Sequence, residues 1–477
     1  MIGRKKETEQ LVSAVKDDKS HFIAVYGRRR IGKTFLIREA FNYRFTFQHS
    51  GVYRGDLKAE LFAFEASIKE AGGYPNENVK NWQEAFEDLK DLIRESNEQR
   101  KIIFLDELSW MDTQNSDLMM ALESFWNGWA SARKDIVLIV CASATTWMLS
   151  KVVHNKGGLY NRLTEQIHLK AFSLSECEEF VRAQGINAPR IQVLQYFLVF
   201  GGVPYYWTFI KKGLSPAQNI DRILFAENAP LKEEFDYLFA SIFKNPSIHL
   251  KLIRALSHKK SGMTRGELIE ESGLVNSGDI TVKLDELEKC GFIRKYTAFG
   301  KKSRDASYQL IDNFVLFYYS FMENNPTDED FWSHQINTPA INNWTGHAFE
   351  SVCMLHIPQI KQKLGISGIY TEANSWYCIP DPDKGIFGSQ IDLMIVRKDQ
   401  VINLCEIKYS QTDYTMTKDD DTAFNRRISD LKNITHTKYA IYPTLITTYG
   451  LTDNSYSGNI MSVITLDDLF TIRTDRL

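Results

Sequence analysis

The hydrophobic pattern of this chain changes character along its length. Phe22-Ile23-Ala24-Val25-Tyr26 is an uninterrupted apolar, β-prone run, long enough for a buried strand, and Phe35 to Ala40 reads as a helix. Runs at Arg44–Gln48, Lys101–Glu107, Asp135–Ser143 and Glu165–Leu169 predict four more strands, with helical stretches between them. Such alternation predicts a parallel sheet with crossover connections. Farther along, Ile248, Leu252, Ile253 and Leu256 fall at helical spacing. Thr264-Arg265-Gly266-Glu267 is a capping box opening a second helix, and Ser277 is placed to cap a third with Ile280, Leu284 and Leu287 on one face. Gly291–Tyr296 and Ser307–Leu310 then read as strands around a basic tip, Lys301-Lys302-Ser303-Arg304, so that three helices and a hairpin make a winged helix. Near the end, Gly388–Val396 and Val401–Lys408 predict two strands joined by a tight turn at Arg397 to Gln400.

Length changes this picture from one core to several. The chain has 477 residues, whereas single cores stop growing near ~250–300 residues, so about three domains are expected. Hydrophobic residues at 43% and charged residues at 25% are ordinary for a soluble globular protein. The net charge of -3 excludes no partner, because it conceals local asymmetry: from His249 to Arg304 there are 12 Lys and Arg against 7 Asp and Glu. Helix and wing are therefore candidates for contact with the DNA backbone, the alternative being a rigid connector with a solvated basic face. Six scattered cysteines without a CxxC pair argue against zinc ribbons and redox motifs. No apolar run reaches the ~20 residues that span a bilayer, and the first residues lack the apolar stretch of a signal peptide. The expected location is cytoplasmic, with no membrane partner.

Between the first strand and helix lies Gly27-Arg28-Arg29-Arg30-Ile31-Gly32-Lys33-Thr34, the GxxxxGK[ST] pattern in the context it requires. The N–H groups of such a loop and the following helix N-terminus cradle phosphate oxygens, which points to ATP. Lys33 is placed to reach the β- and γ-phosphates and Thr34 to ligate Mg²⁺. Arg28, Arg29 and Arg30 either anchor the loop, touch the nucleotide or face solvent. Parallel strands bring ligands to their carboxyl ends. Asp106 thereby becomes the candidate acid that holds Mg²⁺ through water, and Glu107 the candidate base for the attacking water. Ser143, ending the neighbouring run, is a candidate γ-phosphate sensor.

These residues resemble the AAA-related ATPases first recognised in archaea, within the STAND branch of P-loop NTPases. Gly3-Arg4-x-x-Glu7 is similar to the family's opening segment near the adenine, and Gly157-Gly158-Leu159-Tyr160-Asn161-Arg162 and Gly201-Gly202-Val203-Pro204 to its later landmarks. The resemblance implies that Arg162 senses or stabilises γ-phosphate charge, a structural salt bridge being the other reading. It also implies that the Gly201 turn closes a helical lid. Ala142 stands where the family pattern has Gly, and Ala171 where it has Pro. AAA relatives form rings and STAND relatives switch between monomer and assembly, so oligomerisation is possible.

The two C-terminal runs carry a second constellation. Strand alternation puts Glu406 and Lys408 on one face, and in so short a hairpin Asp392 is expected near Glu406. Carboxylates hold Mg²⁺ through oxygen, and a neighbouring Lys stabilises charge on a scissile phosphate. The fold these runs imply resembles the PD-(D/E)XK nuclease superfamily. It matches a helix over Trp344–Ile357 carrying Glu350, strands near 369–378, 391–396 and 401–408, a helix near 422–432 and a strand near 437–442. Archaeal-type ATPases of this kind often end in such a domain, whose pattern Gly346-x-x-Phe349-Glu350 and Gln390-Ile391-Asp392 match. By transfer, Glu350, Asp392 and Glu406 are metal ligands for Mg²⁺ or Mn²⁺ and Lys408 the catalytic lysine, with Gln390 standing beside them or at the core edge. The alternative is a retained fold with surface ion pairs and no cleavage. The expected class is α/β: a P-loop sheet over 1–172, a helical lid over 173–240, a winged helix over 241–325 and a nuclease-like domain over 326–477.

Overall fold

Two faces of apolar side chains force the first sheet to be buried on both sides, and helices cover both. In the computed structural model, which describes residues 1–259, 261–302, 305–384 and 386–472, the chain forms two compact units. One is Met1–Ala171 with Tyr237–Lys244, and the other is Phe172–Asp236 with Asn245 onward. In the first, β1 (His21–Tyr26), β2 (Phe47–Ser50), β3 (Lys101–Asp106), β4 (Ile136–Ala142) and β5 (Glu165–His168) pair in parallel in the order β2-β3-β4-β1-β5. Phe22 and Ala24 face a core with Trp82, Phe86 and Phe125; Ile23 and Val25 face another with Leu36 and Ile37. Central strand β4 is buried along its whole length, as an unbroken apolar run in a parallel sheet should be. The second strand starts later than the pattern implied. Asn42 and Tyr43 turn left-handed, and Tyr43 N–H bonds back to the carbonyl of Arg38 at 2.9 Å, so Arg44 belongs to the helix exit.

In the second unit the GGVP motif is explained by close approach. Gly201 has φ 58°, and a Cβ on Gly202 would lie 1.8 Å from the Phe172 carbonyl oxygen, while Phe172 N–H donates to the Gly202 carbonyl at 2.7 Å. Helices Ser247–His258, Arg265–Ser272 and Gly278–Lys289 follow, with β6 (Met263–Thr264), β7 (Ile293–Tyr296) and β8 (Ser307–Leu310) in one antiparallel sheet. The capping box at Thr264 forms, whereas Ser277 occupies the N-cap position without a side-chain cap bond. Its carbonyl instead accepts from Arg265 Nη2 at 2.7 Å. At the hairpin tip, Ser303 and Arg304 lie outside the described residues.

The last sheet runs β13-β12-β11-β10-β9, with β9 (Thr371–Cys378), β10 (Ser389–Arg397), β11 (Val401–Lys408), β12 (Ala440–Thr447) and β13 (Ser462–Ile464). Pairing is antiparallel from β9 to β11 and parallel from β11 to β13. The expected turn is present, with Gln400 left-handed at φ 64°. Helices Pro339–Leu355 and Lys418–Thr435 flank this sheet, the second covering Ile391, Met394, Ile402 and Leu404. Among the described residues no helix is long and apolar enough to cross a membrane.

Replacing Gly202 by Ala is expected to destabilise the protein by about 3 kcal/mol, because backbone cannot move aside as a side chain can. Gly266→Ala, in a helix with open space around it, should instead be neutral or stabilising by up to ~1 kcal/mol. Urea unfolding of the two variants against wild type checks both signs.

Candidate functional site

The first site forms where β1, β4 and β3 end together. Past Tyr26 the chain turns through Gly27 (φ 143°), Arg30 (φ 71°) and Gly32 (φ 87°), left-handed steps that let successive N–H groups point into one concavity. A Cβ on Gly27 would strike the Leu169 carbonyl, and buried Ile31 roots the loop in the core, leaving Arg28, Arg29 and Arg30 half-buried. Lys33 opens the next helix; its Nζ donates to the carbonyls of Gly27 (3.0 Å) and Arg28 (3.1 Å) and to Ser143 Oγ (2.9 Å). Thr34 Oγ1 donates to Asp106 Oδ2 at 2.8 Å. Arg4 of the opening segment is buried and donates to the Lys170 carbonyl at 2.6 Å, beside the same loop.

Glu107 sits in the left-handed region at φ 48°, a conformation a non-glycine residue adopts at a cost. Its carboxylate accepts from Ser143 N–H at 2.9 Å and from the Ser143 hydroxyl. A chain therefore runs from the Lys33 ammonium through the Ser143 hydroxyl to the candidate base. Asp106 Oδ1 accepts from the Cys141 thiol at 2.9 Å, and burial beside Asp106 pushes that thiol's pKa well up, keeping it a neutral donor. This partner was absent from the sequence reading, although alternation along β4 places Cys141 at the same sheet edge. Thr34 and Asp106 offer the oxygen donors that Mg²⁺ prefers, so the residues fit the ion. Ala142, where the family pattern has Gly, is fully buried and paired with Tyr26.

Arg162 is placed elsewhere. It is exposed, and the segment carrying it joins the sheet where Thr164 N–H bonds the Phe22 carbonyl, at the start of β1. Gly27 is five residues farther along β1, about 16 Å at the usual rise, so the arginine enters at the end of the sheet opposite its own loop. The salt-bridge reading also finds no support: among the described residues no ion pair holds its guanidinium.

In the second unit, the ladder between β10 and β11 ends at Leu393↔Cys405, and Asp392 and Glu406 are the first residues beyond it. They do not converge as strand alternation implied. The register between β9 and β10 shifts between Ile391 and Met394, so that Asp392 and Leu393 together oppose Ser375. Ile391 and Met394, three apart, both face the core under helix Lys418–Thr435. Asp392, at this bulge, is half-buried: burial, then the Glu350 charge, raises its pKa, against Gln390, Arg427 and His347. Gln390 Nε2 donates to Asp392 Oδ1 at 2.9 Å, and His347 Nδ1 lies 3.1 Å from Glu350 Oε1.

Glu406 is paired with Lys408 Nζ at 3.0 Å and with Arg427 Nη1 at 2.9 Å, the same arginine whose charge acts on Asp392. Among the described residues no three His, Cys, Asp or Glu side chains stand close enough together to hold a metal ion. The Glu350–Asp392 pair does fit a hard cation, which one or two carboxylates hold with water and phosphate completing the shell. Glu406, neutralised twice, does not join it. Arg427 was missed in the sequence, though Phe424 and Leu431 at helical spacing mark its face as the buried one.

The basic segment before this sheet is less available than its composition implied. Lys283 pairs with Asp279 (3.9 Å) and Glu286 (3.2 Å), Lys289 with Asp285 (2.6 Å), and Lys259 with Glu267 (2.5 Å). Ala298 and Phe299 of the hairpin pack on the apolar core of the C-terminal sheet, with the Phe299 ring 6.2 Å from Tyr439. These apolar hairpin residues are committed to protein, while Lys301 and Lys302 at the tip stay exposed.

Replacing Lys33 by Ala should remove ATP hydrolysis. Glu107→Gln should leave nucleotide binding in place and slow turnover at least about 100-fold, the usual scale for losing a general base. Phosphate release measured beside nucleotide-binding fluorescence separates the two.

With this geometry in hand, residues 1–208 match the family model for an ATPase domain predominantly from Archaea. Residues 313–420 match the model for a domain of archaeal and bacterial proteins of unknown function. An uncharacterised protein of Methanocaldococcus jannaschii is 24% identical over 380 residues, 79% of this chain and 81% of the relative. Among solved structures, a Walker-type ATPase of Pyrococcus abyssi is similar at 15% identity and TM-score 0.48, over 67% of this chain and 96% of its own. The ORC2 protein of Aeropyrum pernix, in ADPNP and ADP complexes, is similar at 14% identity and TM-score 0.43, over 75% and 96%. The chain thus carries an archaeal-type P-loop ATPase domain, followed by a domain shared with archaeal and bacterial proteins of unknown function.

Proposed function

We propose that this protein hydrolyses ATP to control a C-terminal domain that engages DNA and cleaves its phosphodiester backbone with a divalent ion. On this reading the parts are an ATPase core (1–172), a helical lid (173–240), a winged helix (241–325) and a PD-(D/E)XK nuclease-like domain (326–477). The observation that carries it is the Lys33–Ser143–Glu107 chain beside Thr34 and Asp106. A γ-phosphate entering this loop competes for the Lys33 ammonium and the Ser143 hydroxyl. Losing that donor loosens one of the two bonds on Glu107 and frees carboxylate capacity to accept a proton from water. Mg²⁺ held by Thr34 and Asp106 supplies charge neutralisation for the phosphate oxygens.

At the second site, Glu350 and Asp392 would hold Mg²⁺ or Mn²⁺, which supplies Lewis acidity toward a phosphoryl oxygen. On this reading Lys408 and Arg427, both paired to Glu406, would hold the DNA backbone beside the domain. DNA contact is assigned to this domain and to the exposed basic tip of the winged helix, Lys301 and Lys302. A second reading, binding of nucleic acid or protein without cleavage, is favoured by one observation: both Glu406 oxygens are engaged by cations.

Labelled DNA incubated with Mg²⁺ or Mn²⁺, with and without ATP, should be cut by wild type and not by Asp392→Ala, and Lys33→Ala should lose only the ATP response. ATP hydrolysis without cleavage of single- or double-stranded DNA would leave the binding reading. We further propose that Arg162, entering the sheet away from its own P-loop, serves the nucleotide of a neighbouring copy. Turnover per chain should then rise with protein concentration. Arg162→Ala should lose that rise, and inactive Lys33→Ala chains should restore activity to Arg162→Ala chains on mixing.

A further inference from the structure

Among the described residues the outermost strand of the C-terminal sheet, β9, has no sheet partner on its outer side, and the hairpin segment makes a succession of contacts with it. Arg294 on β7 donates through Nη2 to Ser375 Oγ at 2.9 Å and through Nε to Gln309 Oε1 at 2.7 Å, with its guanidinium 4.8 Å over the Tyr296 ring. Asn374, with its amide turned to donate, reaches the Thr297 carbonyl at 3.1 Å, and Lys259 lies 6.0 Å over the Tyr377 ring. Ala298 and Phe299 pack on the same core as Trp376. Among the described residues no carboxylate pairs with Arg294, and burial pushes its pKa down to about 10. A desolvated charge answered only by an amide, a hydroxyl and a ring is costly, so its place invites an account beyond stability.

That place is the bulge. Ser375, which accepts from Arg294, donates its own hydroxyl proton to the carbonyl of Asp392 at 2.7 Å. Asp392 lies where the β9–β10 ladder is interrupted, so its carbonyl has lost a regular strand partner and the serine hydroxyl supplies one. That bond ties the bulge itself to β9, and its loss favours a one-residue slip toward regular alternation. Such a slip would turn the Asp392 carboxylate away from Glu350.

We propose that Arg294 and Ser375 are positioning residues for the Asp392 site: through two successive hydrogen bonds the winged-helix hairpin holds the bulge that aims Asp392 at Glu350. This rests on the reading of Glu350 and Asp392 as a cation-holding pair. The hairpin segment thereby joins the conformation of its own strands to the metal affinity of a different domain. Displacing it from β9 switches the site off without touching a ligand.

The test uses the full chain and three variants. Ser375→Ala removes the relay, Ser375→Thr keeps the hydroxyl, and Arg294→Met keeps the stem while removing a costly buried charge, so it should fold at least as stably as wild type. Mn²⁺ affinity by titration and DNA cleavage should both fall about ten-fold or more in Ser375→Ala and Arg294→Met, and return in Ser375→Thr. The fall in cleavage should lie in kcat with KM for DNA unchanged. In metal-free protein, hydrogen exchange over Ser389–Arg397 should quicken in the same two variants while Tm holds. Wild-type affinity, kcat and exchange in Arg294→Met and Ser375→Ala would overturn the positioning role and leave the nuclease reading intact. Equal losses of Tm and activity that Ser375→Thr does not restore would reduce these residues to plain structure, and an activity gain would reverse the proposal. Wild-type protein that neither binds Mn²⁺ nor cuts would remove the underlying reading and the proposal with it.

Discussion

The ammonium of Lys33 must be both desolvated and satisfied, and much of the first unit is arranged around that constraint. A buried cation needs oxygen partners, and it finds the Gly27 and Arg28 carbonyls and the Ser143 hydroxyl. Those partners come from two strands adjacent in space and far apart in sequence, β1 and β4. The order β2-β3-β4-β1-β5 therefore matters more than the loop motif alone. Were β3 and β4 exchanged, Ser143 would no longer stand between Lys33 and Glu107. The left-handed turn at Glu107 is held by the same chain, since Ser143 gives it two donors.

The C-terminal sheet meets a related constraint differently. Its carboxylates take different partners. Glu406 is satisfied by Lys408 and Arg427, while Asp392 and Glu350 stand together, raising the Asp392 pKa. Unlike charges settle into ion pairs when they can reach each other, whereas carboxylates near one another raise each other's pKa. The bulge is what makes the difference, and it is braced from outside the sheet by the hairpin segment. Covering an open sheet edge protects it from unwanted pairing, and here the cover also reaches the backbone of a candidate ligand.

Sequence alone went far where the signal is local. Apolar runs gave β1, β3, β4, β10 and β11 nearly to the residue, because an unbroken run between turn signals has few other stable uses. The capping box at Thr264 and the tight turn before Val401 rest on a few adjacent residues and were equally legible. The phosphate loop was readable because its glycines answer to backbone angles that only nearby residues decide. Ser277 and Arg44 misled for the complementary reason: their partners, Arg265 and the Phe41 carbonyl, were decided by packing of the helices they border.

What tertiary structure decided is which charges meet. Composition put a basic excess between His249 and Arg304, but ion pairs neutralise several of those lysines and the hairpin's apolar residues lie against a neighbouring sheet. Motif spacing set Asp392 opposite Glu406, but a bulge falls at Asp392 and the Glu350 charge acts on it. Cys141, Arg427 and Ser375 entered their sites through strand order and helix placement. The chain by itself determined its elements, its phosphate loop and its candidate acids, because those depend on side-chain period and on local backbone angles. The pairing of its charges was left to the fold, because Coulomb energies and desolvation depend on distances that no linear spacing fixes.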